Sequence, residues 1–339
     1  MPARVAILQE ELFSTAVANA TSANIKAGFD RLGVTLEGLE IPLHNQVMIR
    51  LSGIAGDVSV KELRDPKVPT AWNDNYAARA AITGVLDRVK TTFDAVGDYG
   101  VQIVTETNIP NPAGMGSSGA SAAAGMKAAI YLVRNYVSDF ELPLRQQIEA
   151  AVKGETAHHY DNVGPAVLGG LVEKKGDAII KHRVPEWPAL LAKPANVMKG
   201  STVQGRNILS EDDKAAYEND RRITGVKDAV VRQFVRGDLR GLASTLACFE
   251  DPVERKRSEA DFYGAGITPR FLGNLYKSLM TLGMPAWMSG AGPYTLAVVG
   301  PGMERMDAAK RVFERAYAGL GYTPHFIHAK LSNQGARRA

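Results

Sequence analysis

The first half of the chain alternates short apolar stretches with polar turns, a pattern typical of β-strands. The clearest alternation runs through YGVQIVTET at 99–107. The same pattern predicts strands at 12–19, 33–38, 46–52 and 99–107. A later segment, 166–183, predicts a hairpin that turns at Lys175-Gly176-Asp177, where glycine and a polar residue interrupt the apolar runs.

Apolar side chains at helical spacing predict a helix over 74–91, with Asp74 or Asn75 as its N-cap. A second helix is predicted over 117–136, where small residues dominate one side, so we expect it to pack very close to another backbone. The remaining pattern predicts helices at 143–153, 211–235, 238–249, 268–282 and 304–319, and strands near 285–289, 293–299 and 324–330. Strands first, then helices with mixed returns, favour an α+β fold over a doubly wound α/β fold.

The segment between the fourth strand and the second helix reads PNPAGMGSSGA, residues 110–120. Gly114 and Gly116 allow the backbone to curl so that successive amide groups point at an anion. The following helix adds its unpaired N–H groups and the positive end of its dipole. Ser117 and Ser118 offer hydroxyls to a phosphate or a magnesium ion. On physical grounds this loop predicts a phosphate site.

Two other motifs share the glycine spacing of this loop. Gly114-x-Gly116-x-x-Gly119 matches the dinucleotide-binding fingerprint, which needs a second strand carrying an acidic residue roughly 20 residues further on. Asp139 instead lies between two predicted helices. A Walker A loop needs a lysine after its last glycine, where this chain has Ala120. A glycine-rich turn that binds nothing and leads into a closely packed helix is the structural alternative.

Composition narrows the function classes. The 339 residues are 45% hydrophobic and 22% charged, which excludes a disordered or collagen-like chain. The net charge of +4 comes from interleaved signs and argues against nucleic-acid binding. One cysteine, Cys248, cannot form an intrachain disulfide. No apolar run is long enough for a membrane span, and Glu10 and Glu11 lie where a signal peptide needs apolar residues. We therefore expect a soluble, cytoplasmic protein without nucleic-acid or membrane partners.

Four segments together resemble the small-molecule kinases that include galactokinase, homoserine kinase and mevalonate kinase, and within them the homoserine kinases. The loop that starts at Pro110 is similar to their Pro-x-x-x-Gly-Leu-Gly-Ser-Ser motif. Three further motifs of homoserine kinases are resembled, in the same order, by ATSANIKAGFDRLG (20–33), HYDNVGPAVLGG (159–170) and MSGAGPYTL (288–296).

The chain also departs from these motifs. Lys26-Ala27 replace Gly-Pro in the first motif, and Asn19 stands where proline is usual. The stretch between Glu155 and His159 is shorter than in the family, and extra residues precede the first strand. The resemblance therefore specifies kinase chemistry more firmly than it specifies the acceptor.

The resemblance implies an α+β fold of two lobes, with mixed β-sheets and helices packed on one side. Residues 1–185 would form the nucleotide-binding lobe, and residues 186–339 would complete the substrate site. A turn at Gly290, Gly292 and Pro293 would support the phosphate loop from a neighbouring strand pair. The implied activity is ATP-dependent phosphorylation of the side-chain hydroxyl of L-homoserine to O-phospho-L-homoserine, in threonine biosynthesis, by a homodimer that uses magnesium.

The resemblance also implies roles for particular residues. The ATP phosphates would lie on Pro112, Ala113, Gly114, Met115, Gly116, Ser117, Ser118 and Gly119. Magnesium prefers hard oxygen ligands and keeps several waters, and its protein ligands would be Ser118 and Glu155. The substrate pocket would comprise Asn24, Asp30, His159, Asp161, Arg206 and Arg257. Asp30 would face the substrate ammonium. Arginine binds a carboxylate through two hydrogen bonds. The residues acting at the acceptor hydroxyl and γ-phosphate would be Asp161, His159, Thr202 and Arg206.

Several alternatives stay open at this point. Asp161 could take the hydroxyl proton as a general base, or it could only orient the hydroxyl while the proton leaves to the phosphate. His158 and His159, in an extended segment, would point to opposite faces and suit a transition-metal chelate poorly. Competing functions are a kinase for a mevalonate-, shikimate- or threonine-like alcohol and a catalytically silent ligand-binding relative. The intact Ser118, Glu155 and Asp161 argue against the silent relative.

Overall fold

The computed structural model describes residues 13–111, 113–155, 159–197 and 202–339, apart from the side chains of Thr202, Val203 and Arg206. The strands are β1 (Phe13–Ala23), β2 (Leu32–Gly38), β3 (His44–Leu51), β4 (Val58–Glu62), β5 (Val101–Thr107), β6 (Leu171–Lys175), β7 (Ala178–His182), β8 (Pro188–Pro194), β9 (Ala286–Met288), β10 (Thr295–Val298), β11 (Pro324–Leu331) and β12 (Arg337–Arg338). The helices are α1 (Tyr76–Ala81), α2 (Asp87–Val89), α3 (Ser117–Arg134), α4 (Leu144–Gly154), α5 (Tyr160–Leu168), α6 (Thr202–Asn207), α7 (Glu211–Asn219), α8 (Arg221–Arg236), α9 (Leu239–Cys248), α10 (Pro252–Glu259), α11 (Pro269–Thr281) and α12 (Met303–Ala318).

The strands pair in the order β4-β5-β3-β1-β2-β11-β8-β10-β9, while β12 pairs with β1, and β6 pairs with β2 and β7. Among the described strands, only the β4–β5 pair is parallel. A doubly wound fold would be mostly parallel, so the predicted α+β class is confirmed. Strands from both predicted lobes meet where β2 pairs with β11, and the division at residue 185 stays a prediction.

Strand β1 carries the start of the motif at 20–33 to the interior of the sheet order. Its N-terminal part pairs with β3, and its last residues, Ala20–Ala23, pair with β2. The chain then turns through 24–31 into β2, so the motif at 20–33 lies at a strand end in the interior of the sheet order. Buried strands hold such a turn in a fixed place, which a binding site requires.

Helix α3 packs against β1 and β3 and against α1. A Cβ atom on Gly125 would lie 2.3 Å from the carbonyl oxygen of Ala77 in α1, closer than real Cβ atoms come. Only a glycine permits this approach, so the expectation that the small-residue helix packs very close to another backbone is confirmed. Ser14 of β1 donates a hydrogen bond of 2.6 Å to the carbonyl of Ala128. These contacts fix where the N-terminus of α3 lies.

Several predicted elements need correction. The hairpin is confirmed over β6 and β7, but residues 166–168 belong to α5. The sequence pattern did not predict α5, nor did it predict β4, β8, β12, α6 and α10. The predicted helix at 211–235 divides at Asp220, whose side chain accepts the backbone N–H groups of Arg222 and Ile223 and so caps a new helix. Asn75 is the N-cap of α1, as predicted. None of the described helices combines the length and apolar character that a membrane crossing needs.

Candidate active site

The four motif segments lie far apart in the chain and converge on one cavity. It is lined by Asn24, Asp30, Pro110, Asn111, Ala113, Gly114, Met115, Gly116, Ser117, Ser118, His159, Asn162, Arg257, Gly290 and Ala291. These residues come from the β1–β2 turn, the loop before α3, the start of α5 and the β9–β10 turn, and one comes from α10. Most of the predicted site residues in the described part of the chain are therefore brought together.

The loop before α3 has a shape that only glycine allows at two positions. Gly114 and Gly116 have φ of 71° and 63°, in the left-handed region. A Cβ on Gly114 would lie 2.2 Å from the carbonyl oxygen of Ser289, and one on Gly116 would lie 2.0 Å from Thr21 Oγ1. Ser289 also donates a 2.9 Å hydrogen bond to the Gly114 carbonyl. The β9–β10 turn therefore braces the loop in the way expected for residues 290–293.

Helix α3 begins at the cavity with Gly116 as its N-cap and no capping side chain. Its first N–H groups and the positive end of its dipole suit an anion. Asn45 in β3 ties this helix start to the loop entrance, because it donates to the carbonyl and hydroxyl of Ser117 and accepts from the backbone N–H groups of Asn108 and Ile109. Asn45 was not predicted as a site residue, and it lies one residue before the strand predicted at 46–52.

A second cavity, of about 200 Å³, shares part of its lining with the first. Its lining comprises Lys67, Val68, Pro69, Asn75, Tyr76, Thr105, Asn111, Ser117, Ser118 and Ser121. Asn111, Ser117 and Ser118 line both cavities. An anion held at the N-terminus of α3 would therefore lie between the two cavities. Each cavity would then hold one of the two reacting molecules.

Glu155 lies behind the loop as a buried carboxylate, directly after α4. Ser118 Oγ donates to Glu155 Oε1 at 2.5 Å, and the backbone N–H of His159 donates to Oε2 at 3.2 Å. His159 Nδ1 is also 3.2 Å from Oε2. Burial raises the pKa of Glu155, but hydrogen bonds from His159 and Ser118 and the charge of His159 outweigh it, so the pKa lies below its usual value. The carboxylate is therefore ionised at neutral pH.

Ser118 and Glu155 fit a magnesium ion by their chemistry. A hydroxyl and an ionised carboxylate whose oxygens lie 2.5 Å apart present two hard ligands to one point, and magnesium takes its other ligands from water and substrate phosphates. The described residues contain no group of three or more histidine, cysteine, aspartate and glutamate side chains placed to hold a metal. His159 directly precedes α5 and has a non-helical backbone conformation, with φ of −76° and ψ of 85°. His158 lies outside the described residues, so the expectation for the two adjacent histidines stays a prediction.

The β1–β2 turn presents Asn24 and Asp30 to the first cavity. Both have positive φ, 57° and 53°, and Asn24 Oδ1 accepts the backbone N–H of Asp30 at 3.0 Å. Non-glycine residues in this region carry backbone strain, and such strain is typical of functional sites. The hydrogen bond closes the turn on itself, which keeps both side chains at the cavity.

Arg257 is the member of the Arg255–Arg257 cluster that lines the cavity. It is buried, its Nε donates to the carbonyl of Gly205 at 3.2 Å, and its guanidinium lies 5.4 Å from the centre of the Phe29 ring. Arg255 instead pairs with Glu259, and Lys256 pairs with Asp213, both at the surface. The structure thus distinguishes three neighbouring cations that the sequence left ambiguous.

Asp161 is buried in the first turn of α5, between the cavity residues His159 and Asn162. Asn162 Oδ1 accepts a 2.9 Å hydrogen bond from Thr21 Oγ1, a pair that sequence reasoning missed. Gly119 packs against Asn162 and is buried below the loop. Three predicted positions lie outside what the structure describes, namely Pro112 and the side chains of Thr202 and Arg206.

The chain is similar to known proteins in both sequence and fold. The sequence model of the GHMP kinases N terminal domain matches residues 75–170. The homoserine kinase of Caldicellulosiruptor bescii is 31% identical over 329 residues, covering 94% of each chain, and that of Leifsonia xyli subsp. xyli is 30% identical over 300 residues, covering 86% of this chain and 83% of the relative. The chain belongs to the homoserine kinase family.

The homoserine kinase family assignment confirms the resemblance inferred from the four motifs. Among solved structures, the homoserine kinase from Cytophaga hutchinsonii superposes with a TM-score of 0.73 at 19% identity, covering 99% of this chain and 100% of that one. At that identity the likeness shows the shared fold alone. In this homoserine kinase family member, Lys26 occupies the position at which the motif of the family has glycine, and residues 24–30 still form a cavity-lining turn.

Proposed function

We propose that this homoserine kinase family member transfers the γ-phosphoryl group of ATP to the side-chain hydroxyl of L-homoserine. One observation carries the proposal: a carboxylate, Asp30, and a guanidinium, Arg257, line the same cavity as the anion-binding loop. An α-amino acid presents a cation and an anion on one carbon, so this pair matches it, and the loop beside them suits the phosphoryl donor.

ATP would place its phosphates on the loop residues Ala113 to Gly119, at the N-terminus of α3. Its nucleoside would occupy the cavity lined by Pro69 and Tyr76, because Ser117 and Ser118 connect the two spaces. Ser118 and Glu155 would hold magnesium, which neutralises charge on the phosphates when bound. The chain's own contribution is to fix the position of the donor.

The acceptor would lie in the first cavity with its ammonium on Asp30 and its carboxylate on Arg257, assisted by Arg206. In the transfer, the hydroxyl oxygen of homoserine bonds to the γ-phosphorus while the bond between that phosphorus and the bridging oxygen breaks, releasing ADP. The hydroxyl proton leaves to Asp161 as general base or to the transferred phosphate, with Asp161 orienting the hydroxyl and Thr202 near the γ-phosphate. Both routes need an acceptor aligned with the donor.

The test is ADP release with homoserine, threonine, mevalonate, shikimate and 4-hydroxybutyrate in parallel. Homoserine should be the preferred acceptor. 4-Hydroxybutyrate lacks the ammonium and leaves Asp30 unpaired, which should lower kcat/KM by about 10²–10⁴-fold. Asp30→Asn should lose most of that discrimination. Equal turnover of the two acids by wild type would contradict the amino-acid pocket and favour a hydroxy-acid substrate.

The family resemblance also supports a homodimer, and the composition of the chain supports a cytoplasmic location. Light scattering of the purified chain measures its mass, and a monomer across the working concentration range would contradict the dimer.

A further inference from the structure

Lys26 lies in the β1–β2 turn, at the position where the motif of the family has glycine. Its φ is 44°, in the left-handed region that glycine adopts freely and other residues adopt at a cost. Its side chain is only 4% exposed. A buried ammonium in a strained backbone position is unfavourable unless specific partners compensate for both. The contacts of Lys26 therefore indicate what the substitution does.

Within the described part of the chain, Lys26 Nζ contacts three partners, all from the C-terminal half. It lies 3.4 Å from Glu254 Oε2 in α10 and donates to the carbonyl of Phe249 at 3.3 Å. It also lies 3.9 Å from the centre of the Tyr276 ring in α11. The Tyr276 hydroxyl in turn donates to the same Glu254 carboxylate. Together these contacts satisfy the buried charge and tie the β1–β2 turn to two helices.

Both ends of this link lead to the substrate pocket. On one side, Lys26 lies between Asn24 and Asp30 in the strained turn that lines the cavity. On the other side, Glu254 lies three residues before Arg257 on α10, which places the two side chains on neighbouring positions of one helix face. The pocket's carboxylate and its guanidinium are thus carried by the two elements that the Lys26–Glu254 pair joins.

We infer that Lys26 is a positioning residue that sets the spacing between Asp30 and Arg257, and so determines how well the pocket accepts the ammonium and carboxylate of its acceptor. The inference rests on the proposed function, since it concerns the acceptor assigned to that pocket. It predicts an effect on the acceptor alone, because the loop before α3 and the helix start have their own supports. Asn45 and Ser289 hydrogen-bond to them, and the backbone N–H of Thr21 donates to the Met115 carbonyl at 3.1 Å.

The surroundings of Lys26 allow this residue to be replaced in an experiment. A cavity of about 370 Å³ borders Lys26, Glu254 and Tyr276. Water can enter from this side when the ammonium is removed, so Glu254 need not be left dry and unpaired. Lys26→Gly would in addition remove the cost of the left-handed backbone. The chain also offers a matched control in Lys227, an equally buried lysine in α8 that pairs with Glu173 and Asp228 and does not line the cavity.

The experiment measures KM for homoserine, KM for ATP, kcat and the free energy of unfolding for wild type, Lys26→Met and Lys227→Met. Lys26→Met should raise KM for homoserine about tenfold, equivalent to about 1.4 kcal/mol, with KM for ATP within about twofold of wild type. Lys227→Met should destabilise the fold and leave both KM values unchanged. Lys26→Arg should recover most of the loss, because it restores a cation beside Glu254.

The outcomes separate the two proposals. If wild type does not phosphorylate homoserine, the proposed function fails before any variant is compared. If wild type does so, and Lys26→Met changes both KM values equally or changes neither, the positioning role is overturned. Should Lys26→Met fold poorly, Lys26→Gly provides the same comparison without backbone strain. Unchanged KM for homoserine in a folded Lys26→Gly variant would overturn the inference as well.

Discussion

Replacing Gly116 by alanine tests how far the phosphate loop depends on its backbone shape. Gly116 has a φ of 63°, and a left-handed conformation costs an alanine about 1–2 kcal/mol. The new Cβ would lie 2.0 Å from Thr21 Oγ1 and 2.7 Å from Asn162 Oδ1, two atoms joined by a 2.9 Å hydrogen bond. Separating them costs about 0.5–1.5 kcal/mol more. The free energy of unfolding should therefore fall by about 1.5–3.5 kcal/mol.

A matched control separates strain from the clash. Gly176, at the tip of the β6–β7 hairpin, has a φ of 58°, and no atom lies within 4 Å of the place that an alanine Cβ would take. Gly176→Ala should cost only the backbone term, about 1–2 kcal/mol, and should leave ATP binding unchanged. In denaturant unfolding, Gly116→Ala should lower the free energy of unfolding by more than Gly176→Ala does. It should also weaken ATP binding by about tenfold or more, because the start of α3 must move away from the phosphates.

Urea unfolding gives the stability difference, and calorimetric titration with ATP and magnesium gives the binding difference. Two results would refute the reasoning. One is equal destabilisation by both alanines, since the clash would then cost nothing. The other is unchanged ATP affinity in Gly116→Ala, since the loop would then not be the phosphate site.

Two further predictions concern buried carboxylates. Glu155→Gln keeps the side-chain shape but removes the charge beside Ser118, so kcat should fall by about 10²–10³-fold; near-normal turnover at ordinary magnesium concentration would show that Glu155 is not a ligand. Asp251 caps α10, and burial together with the charge of Glu254 raises its pKa to about 6. The folded state therefore holds this proton at pH values where the unfolded state has lost it, so this group lowers stability as the pH rises toward 6. Asp251→Asn should remove that part of the pH dependence in urea unfolding, and an unaltered profile would contradict it.

Local patterns in the sequence were enough to predict much of the fold. The alternation at 99–107 and the small-residue face at 117–136 predicted β5 and α3, because each pattern follows directly from which side of the element is buried. Helix α5 was missed because Gly164 and Pro165 interrupt its short apolar run, although Pro165 lies within the observed helix. Helix α10 is almost entirely polar, and its only clear signal was Asp251 followed by a proline at the first helical position.

The candidate site was harder to predict than the fold, because its geometry depends on contacts between distant segments. The phosphate loop could be predicted, because the local backbone conformation itself requires its glycines. The role of Asn45 could not be predicted, since it joins Ser117 to residues 108 and 109, a contact that no spacing rule reveals. Lys26 appeared in the sequence only as a departure from the family's motif. Its partners, Phe249 and Glu254, became known from the structure.

The bracing of the phosphate loop by the β9–β10 turn has a consequence during synthesis. Ser289 bonds both the Gly114 carbonyl and the Ser22 hydroxyl, and the latter bond spans 267 positions of the chain. A ribosome that adds roughly 5–20 residues per second releases the loop long before it releases this support. A nascent chain can therefore build β1, β3 and α3 early, yet it acquires a finished nucleotide site only when most of its length has emerged. Products that end before residue 289 should therefore lack both the completed phosphate loop and kinase activity.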